Sequence, residues 1–103
     1  MPESTWTDGM SSTNLRVERD VTVPNKQGLH ARPVLRFVDL ASKFDSSIRV
    51  CKRDTSVDGK SPMEMMLLEA TQGTVLTIVA EGEDCEKAVV ELSRLVSEGF
   101  GEQ

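Results

Sequence analysis

From Leu15 to Val23 apolar and polar positions alternate: Leu15, Val17, Val21 and Val23 share a face, with Arg19 its one interruption, and Arg16, Glu18, Asp20 and Thr22 lie between. A period of two predicts a half-buried strand. Pro24 to Gly28 then breaks it. From Ala31 to Ser42 the period becomes helical, with Ala31, Val34, Leu35, Val38 and Ala41 on one stripe, Phe37 and Phe44 widening it, and Arg32, Arg36 and Lys43 largely opposite. Ser47 to Lys52 alternates again, Ile48 and Val50 inward, Arg49 and Cys51 outward, and a turn near Arg53-Asp54 leads to a short strand over Thr55 to Asp58.

Ser61-Pro62-Met63-Glu64 has the form of a helix start: serine at the N-cap, proline at the first helical position, glutamate at the third to complete a capping box. This brief helix runs to about Leu68 and commits Met65 and Leu68 to the core. Gln72-Gly73 ends the connection, and Val75 to Ala80 reads as a strand rich in β-branched residues. Asp84 is placed as the cap of a last helix from Cys85 to about Glu98, with Ala88, Val89, Leu92, Leu95 and Val96 as its buried stripe and Gly99 as its terminator. Cys85 falls on that stripe as a buried thiol, and Asp84, Glu86 and Glu91 fall on a solvated face. Two long helices suffice to cover one face of four strands, so the pattern predicts a two-layer α+β domain. Periodicity leaves the strand order open.

Composition narrows the picture. A chain of 103 residues fits one small domain, which excludes a two-domain enzyme. Residues 1 to 14, mostly Ser, Thr, Asp and Gly around a lone Trp6, bury too little apolar surface to order themselves, so a flexible tail is expected before a domain spanning 15 to 103. Twelve basic and seventeen acidic residues give a net charge of −5, which argues against nucleic acid or anionic membrane as partner. Three Phe, one Trp and no Tyr provide no stacking platform for single strands. No apolar run approaches a bilayer span, and the N-terminus lacks the pattern of a secretory signal, so a cytoplasmic address and no membrane insertion are expected. Cys51 and Cys85 stand alone, as free thiols, and neither a metal site nor a cofactor is indicated.

Chemistry concentrates at the one histidine. His30 joins a glycine-containing loop to a helix that begins Ala31-Arg32-Pro33, and proline is tolerated in a first turn because amides there lack intrahelical acceptors. The positive end of the helix favours an anion held against the amides of Ala31 and Arg32, and Arg32 adds a guanidinium suited to phosphate. Gly28, His30 and Arg32 thus describe a histidine that carries a phosphoryl group. They equally describe a capping histidine beside a surface arginine, and spacing alone leaves both open.

The run Asn25-Lys26-Gln27-Gly28-Leu29-His30-Ala31-Arg32-Pro33-Val34 closely resembles the active-site loop of the HPr family, the histidine-containing phosphocarrier proteins of the phosphoenolpyruvate-dependent sugar phosphotransferase system. Gly59-Lys60-Ser61-Pro62-Met63-Glu64-Met65-Met66 resembles the family's regulatory serine segment, and with Ala41-Ser42-Lys43-Phe44-Asp45 and the closing helix the likeness covers about residues 15 to 101. Pro62 stands where the family usually has Ile or Leu, Glu64 where Gly is frequent, and Glu69 where a small residue is common.

The resemblance implies an open-faced β-sandwich, a four-stranded antiparallel sheet covered on one face by three helices. It implies a phosphoryl relay rather than an enzyme, in which His30 accepts a phosphoryl group on Nδ1 from Enzyme I and passes it to an EIIA domain. Arg32 would steady the phosphate, Gly28, Ala31 and Pro33 would shape the loop and helix start, and Ser61 would be the target of an HPr kinase/phosphorylase. Leu35, Met63 and Met66 would form an apolar docking patch beside the histidine. A monomer is expected, with a transcription regulator as a further partner. The competing expectation is a signalling regulator, controlled through Ser61 or His30 and without sugar transport.

Overall fold

The computed structural model describes residues 15–102, so the tail predicted over 1 to 14, with Trp6, lies outside the described residues. The chain runs β1 (Arg16–Thr22), α1 (Ala31–Ala41), β2 (Ser47–Lys52), β3 (Thr55–Asp58), α2 (Pro62–Met66), β4 (Val75–Glu81) and α3 (Cys85–Ser97), followed by a single 3₁₀ turn over Gly99–Gly101. Every predicted element is present. The four strands form one sheet in the order β1-β4-β2-β3, antiparallel throughout. β1 and β4 register from Arg16 opposite Glu81 to Thr22 opposite Val75 without a bulge, which leaves β1 and β3 as the edges.

Alternation decides which face is covered. Val21 and Val23, Ile48 and Val50, Val57, and Leu76, Ile78 and Ala80 turn to the helices and are buried, whereas Ser47, Arg49, Val75 and Glu81 lie exposed on the open face. Against them pack Val34, Phe37, Val38 and Ala41 of α1, Met65 of α2, and Cys85, Ala88, Val89, Leu92 and Val96 of α3. Full burial of each large aliphatic or aromatic side chain contributes about 1.5–3 kcal/mol. Met65 and Leu68 are buried, as predicted, and Cys51 is half-buried.

Two predicted caps are made differently. Ser61 Oγ accepts the Glu64 amide at 3.2 Å, but the Glu64 carboxylate does not return to Ser61 to close a capping box. It accepts instead the Asp58 amide at 2.9 Å, because the Ser61 N–H is already given to the Asp58 carbonyl. Asp84 occupies the N-cap position of α3 without capping it. Its carboxylate accepts the amides of Asp45 at 2.8 Å and Ser46 at 2.9 Å together with the Ser46 hydroxyl, so it ties the entry to β2 to the start of α3 rather than belonging to a solvated face.

The Ser46 hydroxyl, followed by the Asp45 amide, holds the Asp84 carboxyl below its ordinary value. A group whose pKa is lowered in the fold adds stability above its unfolded pKa and loses it as pH falls through the folded one. Asp84→Asn should therefore be less stable than the parent at neutral pH, and the gap should narrow as acid takes the solution well below the ordinary carboxylate value of about 3.9. Denaturant midpoints for both proteins across that range check it; a gap that stays constant would show that the charge of Asp84 contributes nothing.

Candidate functional site

The loop between β1 and α1 is built on a close approach of two backbones. Gly28 has φ +67°, and a Cβ there would strike the Ala70 carbonyl oxygen and come within 2.9 Å of Thr71 Cα. The Asn25 side chain braces the turn, its Nδ2 donating to the Gly28 carbonyl at 2.8 Å. Leu29 is buried and gives its amide to the Ala70 carbonyl at 2.8 Å. With both neighbours anchored, His30 is delivered in an extended conformation as the N-cap of α1, and its carbonyl accepts the Val34 amide at 3.0 Å.

The imidazole itself makes no capping bond. The amides of Ala31 and Arg32 have no intrahelical acceptor, and Pro33, in the first turn, has none to offer. His30 Nε2 lies 2.9 Å from Glu102 Oε2 and 3.2 Å from Oε1, and Asn25 Nδ2 donates to Oε1 at 3.0 Å. A carboxylate only accepts, so in the neutral ring this pairing puts the proton on Nε2 and leaves Nδ1 with its lone pair.

Glu102 is the residue that sequence reading missed. It reaches the histidine because the chain reverses after α3: Gly99, Phe100 and Gly101 all have positive φ, at 69°, 59° and 78°. Phe100 is buried, and Arg36 of α1 donates to its carbonyl at 2.7 Å, so the reversal is pinned on both sides. The local trace of this in the sequence is Gly-Phe-Gly directly before an acid.

Arg32 is exposed and makes no hydrogen bond or ion pair among the described residues. It lines two adjoining surface cavities, of about 610 and 630 Å³, which share Gln27, Arg36 and Glu102; His30, Ala31 and Leu35 belong to the first and Lys26 to the second. The structure thus gathers His30, Ala31, Arg32 and Leu35 around one basin, with Gly28 and Pro33 buried beneath it as supports. Ser61 lines neither cavity. Leu35, Met63 and Met66 are exposed, α2 packs against α1, and Leu67, 70% exposed and not anticipated, joins the methionines.

An open-faced antiparallel sheet under three helices, with a histidine at the start of the first whose Nε2 alone is engaged among the described residues, defines a class of small phosphoryl-carrying domains. Over residues 17–98 the chain matches the family described as PTS HPr component phosphorylation site. The phosphocarrier protein HPr of Xylella fastidiosa strain Temecula1 is 42% identical over 86 residues, 84% of this chain and 97% of that protein. The crystal structure of HPr-C-His from Thermoanaerobacter tengcongensis superposes with a TM-score of 0.81 at 45% identity, covering 84% of this chain and 98% of that one. A crystal structure of an HPr dimer from the same organism gives a TM-score of 0.68 at 46% identity, covering 80% of this chain and 94% of that one. The chain belongs to the HPr family of the phosphotransferase system.

The Glu102 contact carries its own test. Nitrogen NMR of the imidazole should show the Nε2–H tautomer in the parent protein and a mixture of tautomers in Glu102→Ala, because nothing else described reaches Nε2. An unchanged tautomer in the variant would assign proton placement to something other than this carboxylate.

Proposed function

We propose that His30 Nδ1 is the atom that accepts and returns the phosphoryl group, with Enzyme I as donor and an EIIA domain as acceptor. The observation that supports this most is the engagement of Nε2 by Glu102, which leaves Nδ1 as the free nucleophile of the ring. In the accepting step the Nδ1 lone pair attacks phosphorus, a new P–N bond forms, and the bond from phosphorus to the donor's carrying group breaks with its electron pair returning to that group. Bond formation makes the His30 ring more positive, and the Glu102 carboxylate beside Nε2–H offsets that charge. The negative oxygens meet the open amides of Ala31 and Arg32 and the Arg32 guanidinium. Passing the group on reverses these changes.

One copy of the chain carries every residue of this relay, and a monomer acting in the cytoplasm is part of the proposal. Leu35, Met63, Met66 and Leu67 provide the apolar surface on which both partners would dock in turn, and methionine adapts to two different faces. Ser61 is the proposed regulatory position, addressed by an HPr kinase/phosphorylase, and phosphorylated Ser61 is the form a transcription regulator would read. A phosphoserine there would bring about −1.5 to −2 charges next to Glu64, whose amide Ser61 Oγ now holds, and beside the exposed Met63.

Incubation with Enzyme I and phosphoenolpyruvate should add one acid-labile, alkali-stable phosphoryl group, and His30→Ala should abolish it. Labelling that persists in that variant would overturn the assignment. Arg32→Ala should slow transfer by about tenfold or more, the loss of one charge-assisted hydrogen bond, while the melting temperature stays nearly constant. Rates equal to the parent would reduce Arg32 to surface charge. Ser61→Asp should slow phosphorylation from Enzyme I by placing charge at the docking surface; kinetics unchanged by Ser61→Asp, with no modification at Ser61 after treatment with ATP and the kinase, would leave the residue as a helix cap only.

A further inference from the structure

A second polar groove lies between the edge strand β1 and α3 and shares no residue with the basin at His30. It encloses about 710 Å³ and is lined by Arg19 to Thr22 from the strand and by Val90, Ser93, Arg94 and Ser97 from the helix. The helix positions recur at intervals of three and four and so form one ridge. Arg19 stands on the helix-facing side of β1, between half-buried Val17 and buried Val21, where the pattern calls for an apolar residue. It is exposed all the same, and neither it nor Arg94 makes a hydrogen bond or ion pair among the described residues.

Ser93 provides the independent observation. It is 5% exposed, and its hydroxyl has no hydrogen-bond partner among the described residues. A serine inside a helix commonly turns its hydroxyl back to the carbonyl four residues earlier, which satisfies it without any ligand. That bond is absent among the described residues, so a buried hydroxyl lies unspent beneath a groove that Arg19 and Arg94 also line.

The strand edge adds donors. Val23 gives its amide to the Thr74 carbonyl at 2.9 Å and accepts from Gly73 at 2.8 Å, so odd positions of β1 direct their backbone groups to β4. The even positions Asp20 and Thr22 therefore direct theirs outward, along the free edge. Asp20 also lines the groove, and its carboxylate accepts the Thr77 hydroxyl at 2.7 Å across the strand pair. The charged side chains of Arg16, Glu18, Arg19 and Asp20 disfavour addition of a further strand to this edge.

We infer that the groove binds a phosphorylated small molecule by its phosphoryl group. Two guanidinium forks, a buried hydroxyl and outward strand amides offer more donors than the two oxygens of a carboxylate can take, and they suit the three terminal oxygens of a phosphoryl group. Arg19 and Arg94 clamp the charge, Ser93 Oγ donates from beneath, and the rest of the molecule lies along Val90 and Ser97. The site serves recognition rather than the relay, since it shares no residue with the basin at His30.

The test is a titration of the full chain with inorganic pyrophosphate, followed in amide nitrogen–proton correlation spectra at fixed ionic strength, with sodium chloride as the matched control. Saturable shifts are expected at Arg19, Asp20, Ser93, Arg94 and Ser97. Arg19→Gln combined with Arg94→Gln should weaken that binding by about tenfold or more, and Ser93→Ala by about threefold, the scale of losing charge-assisted and single neutral hydrogen bonds. Phosphoryl transfer through His30 should be the same in all three proteins, which separates this site from the proposed relay. Shifts confined to the Gln27–Arg32 loop, equal shifts with chloride, or undiminished groove binding in the arginine double variant would each overturn the inference.

Discussion

No side chain fits between residue 28 and the Ala70 carbonyl, and the placement of His30 follows from that contact. With only hydrogen at the α-carbon, the loop presses onto the Ala70–Thr71 backbone and takes the positive φ that turns the chain. Leu29 is then driven into the core with its amide spent on Ala70, and His30 is left as the last extended residue before α1. The imidazole owes its position to what surrounds it in the chain rather than to any bond of its own backbone cap.

The second constraint comes from the other end of the domain. Glu102 is held by Asn25 and offered to Nε2, and Asn25 also braces the carbonyl of Gly28, so one amide side chain ties the loop and the carboxylate together. Arg36 secures the turn that brings Glu102 back, through the Phe100 carbonyl. Gly101 leaves room for that guanidinium, because a Cβ would collide with it. Two arginines one helical turn apart on α1 are thus placed differently: Arg36 is tied to the C-terminal turn, and Arg32 lines the basin with no partner among the described residues.

Much of this was legible in the residues because it is local. Periods of two and 3.6 marked all the elements, Ser61-Pro62 marked the start of α2, and Met65 and Leu68 separated correctly from Met63 and Met66. The HPr-like loop, through Gly28, His30 and Arg32, located the basin. What stayed hidden was non-local. Strand order β1-β4-β2-β3 pairs segments far apart in the chain, and alternation along one strand says nothing of its neighbour. Asp84 and Glu64 looked like caps because short polar residues at helix starts usually are, yet each found acceptor-starved amides in another segment, at Asp45 and Ser46 and at Asp58. Glu102 was invisible for the same reason.

The distance in sequence between His30 and its carboxylate has a consequence for the order in which the site matures during synthesis. The two are separated by 72 residues, and β1 cannot pair until β4 has been made. A growing chain therefore carries the complete His30 loop long before it has the sheet beneath the loop or the group that orients the ring. Non-local closure of this kind is slow relative to helix formation. The histidine gains the carboxylate that orients its ring only as a late event of folding, so under the proposed relay a partner protein meets either a finished domain or an unoriented ring, with no functional state between.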